Sequence, residues 1–181
     1  MDPRRGQLPR PSGMRTGIGF DFHPLVPGRE LVLGGVRIPF EKGLAGHSDA
    51  DVVIHAACDA LLGAAGLEDI GAHFPDDDPR YRGVSSTTLL SRTCDLVREA
   101  GYRIVNLDIV VLAEKPKILP YRARMLTELA RAMGPAAPEA VNLKATTTEG
   151  CGTVGRGEGI GALATALLAP LAPPPEPEGG P

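Results

Sequence analysis

The chain has 181 residues, the size of one ordinary domain, and 43% of them are hydrophobic, which is normal for a globular protein. Aromatic residues make up only 4% and tryptophan is absent, so the core is expected to be aliphatic and alanine-rich. The net charge of −3, with no basic stripe and no apolar run of membrane-span length, excludes a dedicated nucleic-acid binder and a membrane protein, but not an enzyme with a nucleotide substrate.

In chain order, residues 1–13 read as a disordered extension. Arg4 and Arg5 are not followed by the apolar stretch of a secretory signal. Residues 14–26 read as a strand, with Ile18, Phe20 and Phe22 on one face and Asp21 and His23 on the other. A second strand is expected over 30–39, bent or split at Gly34-Gly35. A glycine-rich turn over 41–46 leads through His47-Ser48-Asp49-Ala50-Asp51 into a helix over 50–65, apolar at 52, 53, 56, 60, 61 and 64. Glycine and proline mark 66–79 as a loop. A second helix is expected over 85–100, with Ser85 or Ser86 as its N-cap and Gly101 as its stop. Residues 102–113 are β-rich, 119–133 read as a third helix, and 141–147 as a further strand. The small-residue-rich segment 159–169 reads as a last helix. Residues 170–181, rich in proline, glutamate and glycine, cannot bury enough apolar surface to order themselves, which leaves 14–169 as the folded domain. Alternating strands and helices indicate an α/β domain, its sheet covered by helices, with strand order left open. Cys58, Cys94 and Cys151 lack any paired spacing and point to reduced thiols in the cytoplasm.

Three of the four histidines fall between residues 17 and 55, each close to aspartates. Asp21 and His23 share a strand face, and a carboxylate with two imidazoles suits zinc or another borderline divalent cation. His55 would complete three protein ligands and leave a fourth position open, as in catalytic sites. Asp51 and Asp59 flank His55 at four residues on either side, so a carboxylate there could accept the other imidazole N–H. Spacing alone leaves open a plainer alternative, a half-exposed Asp-x-His strand and an unrelated helical histidine. Lys144-Ala145-Thr146-Thr147-Thr148-Glu149 offers hydroxyls and N–H groups to phosphate, with Glu149 suited to Mg²⁺, or else is only a threonine-rich strand end. Gly155-Arg156-Gly157-Glu158-Gly159 and the loop 113–120 are weaker anion-site candidates, against plain turns. The run Asp76-Asp77-Asp78 reads as solvated loop or a Mg²⁺ or ribose contact, and His73 as structural or surface.

Taken together, ordered motifs carry a resemblance. They include Gly19-Phe20-Asp21-Phe22-His23, Leu33-Gly34-Gly35-Val36-Arg37-Ile38-Pro39, His47-Ser48-Asp49-Ala50-Asp51, His55-Ala56, Asp69-Ile70-Gly71, Phe74-Pro75-Asp76, Pro116-Lys117, Asn142 to Glu149, and Gly155 to Gly159. Over 14–169 the chain resembles the 2-C-methyl-D-erythritol 2,4-cyclodiphosphate synthase family. The resemblance implies a phosphorus–oxygen lyase of non-mevalonate isoprenoid biosynthesis. It closes 4-diphosphocytidyl-2-C-methyl-D-erythritol 2-phosphate into the cyclic diphosphate and releases CMP. It further implies a four-stranded mixed sheet of α+β type covered by helices, and a cytoplasmic homotrimer with active sites between subunits. By the same resemblance Asp21, His23 and His55 hold Zn²⁺ or another divalent cation, and Glu149 helps hold Mg²⁺ or Mn²⁺ on the diphosphate. His47 and Thr147 match transition-state groups. Ser48, Asp69, Ile70, Gly71, Phe74, Pro75, Asp76, Asp77 and Asp78 match the methylerythritol phosphate pocket, and Phe22 matches a substrate-binding position. Ala113, Pro116, Lys117, Ile118, Leu119, Thr146 and Thr148, with Thr147 and Glu149, match the cytidine diphosphate pocket, whereas Arg156 matches a residue that faces the trimer's central region and a phosphate or anionic isoprenoid there, and Thr153 a position near the substrate or the trimer axis. Thr153 stands where the family usually carries an aromatic, which bears on local packing and substrate affinity. A zinc-dependent nucleotide-diphosphate phosphohydrolase and a non-catalytic isoprenoid-phosphate binding trimer remain the competing functions.

Overall fold

Alternation along the first strand decides where the first helix can lie. Strand β1 (Arg15–Pro27) turns Ile18 and Phe20 outward, 67% and 61% exposed, and so presents Gly17, Gly19, Asp21 and His23 to the other side. Helix α1 (Val52–Ala65) rests directly on the glycines. A Cβ at Gly17 would stand 2.1 Å from the carbonyl oxygen of Ala60, and one at Gly19 would stand 2.0 Å from that of Ala56. Hydrogen is the only side chain that admits this approach. The helix answers with small, fully buried residues, Ala56, Ala57, Ala60 and Ala64. Arg15 Nε closes its end by donating to the Ala64 carbonyl at 2.6 Å.

The computed structural model describes residues 13–46, 48–75, 77–81, 83–134 and 141–171. The extension read over 1–13, all but its last residue, and the tail read over 170–181, all but its first two, lie outside the described residues, as do His47 and Asp76. The main sheet has five strands in the order β4-β1-β7-β5-β6. Here β4 is Lys42–Leu44, β5 Tyr102–Leu112, β6 Val141–Thr146 and β7 Gly159–Pro170. Only the β5–β6 pair is parallel, so the sheet is mixed.

Two expectations are corrected here. The sheet has five strands, not four, and residues 159–169 form its central strand, not a helix. Strand β7 pairs with β1 on one side and β5 on the other. Its Ile160, Ala162, Ala164, Ala166 and Leu168 are at most 3% exposed. Alanine favours helix by only about 0.7 kcal/mol or less per residue over ordinary residues, and two flanking ladders override that. The alanines are small because α1 covers them as well as β1. The strand read over 30–39 splits at its two glycines into a separate hairpin, β2 (Leu31–Leu33) and β3 (Val36–Ile38). Strand β4 is only three residues long, too short to separate from the turn that the sequence suggests.

Helices α3 (Ser86–Glu99) and α4 (Arg122–Met133) complete the layer over the sheet, with α3 against both α1 and α4. The loop expected over 66–79 contains a single-turn helix, α2 (Ile70–His73), and runs into a 3-10 turn at Pro79–Tyr81. The third helix begins with a 3-10 turn at Leu119–Tyr121, and one more short helix, α5 (Gly152–Gly155), precedes β7. No described helix is long and apolar enough to cross a membrane.

One fully buried carboxylate locks hairpin to helix. Asp51 caps α1, accepting from Val53 and Ile54 N–H at 3.1 and 3.2 Å, and also accepts from Gly34 and Gly35 N–H at 2.9 and 2.7 Å. Burial pushes this carboxyl up to about 6, against the pull of the glycine hydrogen bonds.

Two stability measurements follow from these contacts. Gly19→Ala forces helix from strand and should cost about 3 kcal/mol in urea unfolding; a loss under about 1 kcal/mol would mean the helix can shift freely. Asp51→Ala strands four N–H groups, three of them buried, and should cost about 3 kcal/mol or more, read the same way.

Candidate metal centre

Strand alternation puts Asp21 and His23 on the α1 side of the sheet, and α1 brings His55 to them. Asp21 Oδ2 lies 3.0 Å from His23 Nε2 and 2.9 Å from His55 Nδ1. One ligand atom from each residue falls within 4.8 Å of the others, the one such group among the described residues. The two imidazoles meet edge to face, ring centroids 5.6 Å apart.

The surroundings orient each ligand. Asp21 Oδ1 accepts the Phe22 N–H at 2.8 Å, leaving Oδ2 for the centre. His23 Nδ1 stands 2.5 Å from the Ala45 carbonyl oxygen. A carbonyl can only accept, so Nδ1 carries a proton, and Nε2, which faces Asp21, is the nitrogen left for a cation. Burial alone would raise the Asp21 carboxyl, but hydrogen bonds and charge from His23 and His55 outweigh it and hold it well below the usual carboxylate range. An ionised oxygen and two convergent imidazole nitrogens, with tautomers set from behind, suit zinc or a similar divalent cation.

The partners expected for His55 are corrected. Neither Asp51 nor Asp59 takes its second nitrogen. Asp51 is spent on the hairpin and the helix cap, and Asp59 accepts the Ile70 N–H at 2.8 Å, tying α2 to α1. His55 Nε2 instead faces Ser86 Oγ at 3.0 Å and Ser48 Oγ at 3.3 Å. The sequence marked Ser86 only as a possible helix cap, because nothing local connects it to residue 55.

The three ligands open onto a cleft of about 290 Å³ that Ser48, Asp59, Ile70, Gly71, Phe74, Tyr81, Val84 and Leu89 also line. Of these, Tyr81, Val84 and Leu89 were not singled out by the sequence. Asp69 serves locally as the cap of α2, accepting the Ala72 N–H at 2.9 Å. Asp78 is held by Arg80 through both carboxylate oxygens, which keeps its carboxyl low. Asp77 is exposed and Pro75 half-buried, and neither lines the cleft. His73 is structural, its Nε2 2.6 Å from the Leu67 carbonyl oxygen. Phe22 lies against Gly159 and Gly161 of β7, away from the metal ligands on its own strand.

The remaining candidate residues sit elsewhere at the same end of the sheet. Ala113, Pro116, Lys117, Ile118, Leu119, Ala145, Thr146 and Thr147 line a second cleft of about 190 Å³. Thr146 pairs with Leu112, Leu112 with Gly161 and Gly161 with Phe22, so three strand spacings, about 14 Å, separate the two clefts. Thr147 Oγ1 donates to Glu149 Oε1 at 2.7 Å, and Glu149 does not join the Asp21 group. Glu114, missed by the sequence reading, accepts the N–H groups of Thr148 and Gly150 at 3.0 and 3.2 Å and so shapes this loop. Thr153 is exposed on α5, and Arg156 pairs with Glu158 at 2.7 Å.

Comparison with known proteins agrees with this geometry. Residues 14–169 match the model of the YgbB family. The 2-C-methyl-D-erythritol 2,4-cyclodiphosphate synthase of Desulfatibacillum aliphaticivorans is 59% identical over 86% of this chain and 99% of its own length. Among solved structures, the bifunctional IspDF of Campylobacter jejuni is 41% identical with a TM-score of 0.84, covering 94% of this chain and 46% of its own. The Plasmodium falciparum IspF, solved as a CDP complex, is 31% identical with a TM-score of 0.77, covering 88% of this chain and 98% of its own.

Metal content tests the ligand set. His55→Ala should bind zinc at least about ten-fold more weakly by chelator competition while the chain stays folded. An unchanged zinc Kd would remove His55 from the ligand set.

Proposed function

We propose that this chain, which belongs to the YgbB family, converts 4-diphosphocytidyl-2-C-methyl-D-erythritol 2-phosphate to 2-C-methyl-D-erythritol 2,4-cyclodiphosphate. The observation that carries the reading is the convergence of Asp21, His23 and His55 on one cleft, in a chain so similar to named synthases. An oxygen of the 2-phosphate attacks the β-phosphorus, the bond from that phosphorus to the bridging oxygen breaks, and CMP leaves with the bridging oxygen. Two anions must be brought together along a flexible polyol, so charge and disorder dominate the barrier.

The chain's residues divide that work. Ser48, Ile70, Gly71 and Phe74, on the wall of the metal cleft, hold the methylerythritol phosphate with Asp69 and the loop through Asp78. The second cleft, lined by Ala113 to Leu119 and Thr146 to Thr147, takes the cytidine diphosphate, and the CDP complex of the Plasmodium falciparum relative supports a ligand of that class. Backbone groups there read the base, which accounts for the lack of a side-chain motif. Asp21, His23 and His55 would hold Zn²⁺, which when bound neutralises phosphate charge and templates the in-line geometry. Glu149 would hold Mg²⁺ or Mn²⁺ on the diphosphate. His47 and Thr147 stabilise the transition state, in which charge builds on the phosphoryl oxygens, a role worth roughly 10²–10³ in rate.

The active assembly is a homotrimer with its sites between subunits. Two facts support it: the two clefts of one chain lie apart, and Ile18 and Phe20 leave an apolar sheet face open. The enzyme works in the cytoplasm.

³¹P NMR of the protein with substrate, Zn²⁺ and Mg²⁺ decides the chemistry. CMP with a cyclic diphosphate pair of doublets is the expected result. CMP with an open-chain bisphosphate would make the protein a hydrolase, and no change would make it a binding protein. For the assembly, Phe20→Glu should give monomers in sedimentation and lose activity with them; an active monomer would place both half-sites in one chain.

A further inference from the structure

A line of polar contacts runs outward from His55 to a second carboxylate. Ser86 opens α3 and is fully buried. Its Oγ lies 3.0 Å from His55 Nε2 and donates to Asp49 Oδ1, while its backbone N–H donates to Asp49 Oδ2 at 3.0 Å. Asp49 therefore takes both hydrogens that Ser86 can give.

A hydroxyl carries one proton. With that proton committed to Asp49, Ser86 Oγ can only accept from His55. Nε2 must then bear a hydrogen, and Nδ1, 2.9 Å from Asp21 Oδ2, is the nitrogen whose lone pair a bound cation would take. Ser48 Oγ, 3.3 Å from the same nitrogen, accepts the Ala50 N–H at 3.1 Å and has its own proton free, so alone it would permit either tautomer. The carboxylate behind Ser86 removes the choice.

We infer that Asp49 and Ser86 form a positioning pair that sets the tautomer and ring angle of His55, and through it the metal affinity of the centre. The inference rests on the reading of Asp21, His23 and His55 as metal ligands. Asp49 and Ser86 touch neither metal nor substrate in this role. They join the loop before α1 to the start of α3, so one short link spans three elements.

Zinc affinity of the full chain, measured by competition with a chromophoric chelator, tests the pair. In Asp49→Asn the amide can donate to Ser86 Oγ, and the freed hydroxyl proton can turn to His55 Nε2. Asp49→Asn and Ser86→Ala should each raise the zinc Kd about ten- to a hundred-fold. The double variant should be no weaker than the worse single one, since the two act in series. If the variants lose thermal stability but keep the wild-type zinc Kd, the pair only anchors α3 and the inference falls. A second readout needs no variant: ¹⁵N NMR of zinc-loaded wild type should find His55 metal-bound at Nδ1 and protonated at Nε2, and the reverse would overturn it. Wild type that binds no zinc would instead fail the metal-centre reading, and this inference with it.

Discussion

The contact between α1 and β1 sets nearly everything else. Helix backbone rests on strand backbone at Gly17 and Gly19, where Ala60 and Ala56 carbonyl oxygens occupy the space of the missing side chains. The spacing repeats for a geometric reason. Four residues of helix rise about 6.0 Å and two residues of strand about 6.7 Å, so the two run nearly in step. Continuing that step past Gly19 puts Val52 opposite Asp21, and His55, one turn on, meets Asp21 because helical side chains lean toward the helix N-terminus. The metal centre is therefore a consequence of the helix–strand register.

Charge in this corner is sorted by what surrounds each carboxylate. Asp51 and Asp59 share α1 or its cap, and burial raises both. Asp21 is also partly buried but is held down, because two imidazoles stand against it. The buried pair of roles differs accordingly. Asp51 spends its oxygens on four backbone N–H groups that fix the hairpin and helix. Asp21 spends one oxygen on its neighbour's N–H and keeps the other at the centre. Carboxylates of one type, within a short stretch of chain, thus serve architecture and chemistry separately.

Local rules expressed in the sequence carry over to the structure well. The Asp21-x-His23 face follows from strand period, the body of α1 from its apolar repeat, and the hairpin break from two glycines, while Asp51, read as part of that helix, proves to be its cap. What failed to show was set by distant contacts. Strand β7 reads as a helix because its alanines were chosen by the packing of α1, not by strand preference. Strand β4 exists only through its pairing with the end of β1. Ser86, 31 residues from His55 in the chain, and Asp49, 37 from Ser86, have no local motif that joins them. Glu114 gave no signal for the same reason, since its partners lie beyond a strand and a helix.

Glu114 also explains how a loop can present a carboxylate in a fixed place. Glu149 sits at a φ of +53°, in the left-handed region that a side chain with Cβ enters at a cost of about 1 kcal/mol. The residues on either side are held by one acceptor: Glu114 binds the N–H of Thr148 and of Gly150. Those bonds also keep the Glu114 carboxyl below its usual range, with Gly150 the largest contributor. The Thr148 carbonyl then accepts the Cys151 N–H at 2.9 Å and closes the turn. Two hydrogen bonds to one ionised acceptor, on either side of Glu149, hold the turn in that conformation. The metal ligands needed no such device, because strand and helix already fix their backbone. The loop did, and a single acidic side chain from the neighbouring connection supplies it.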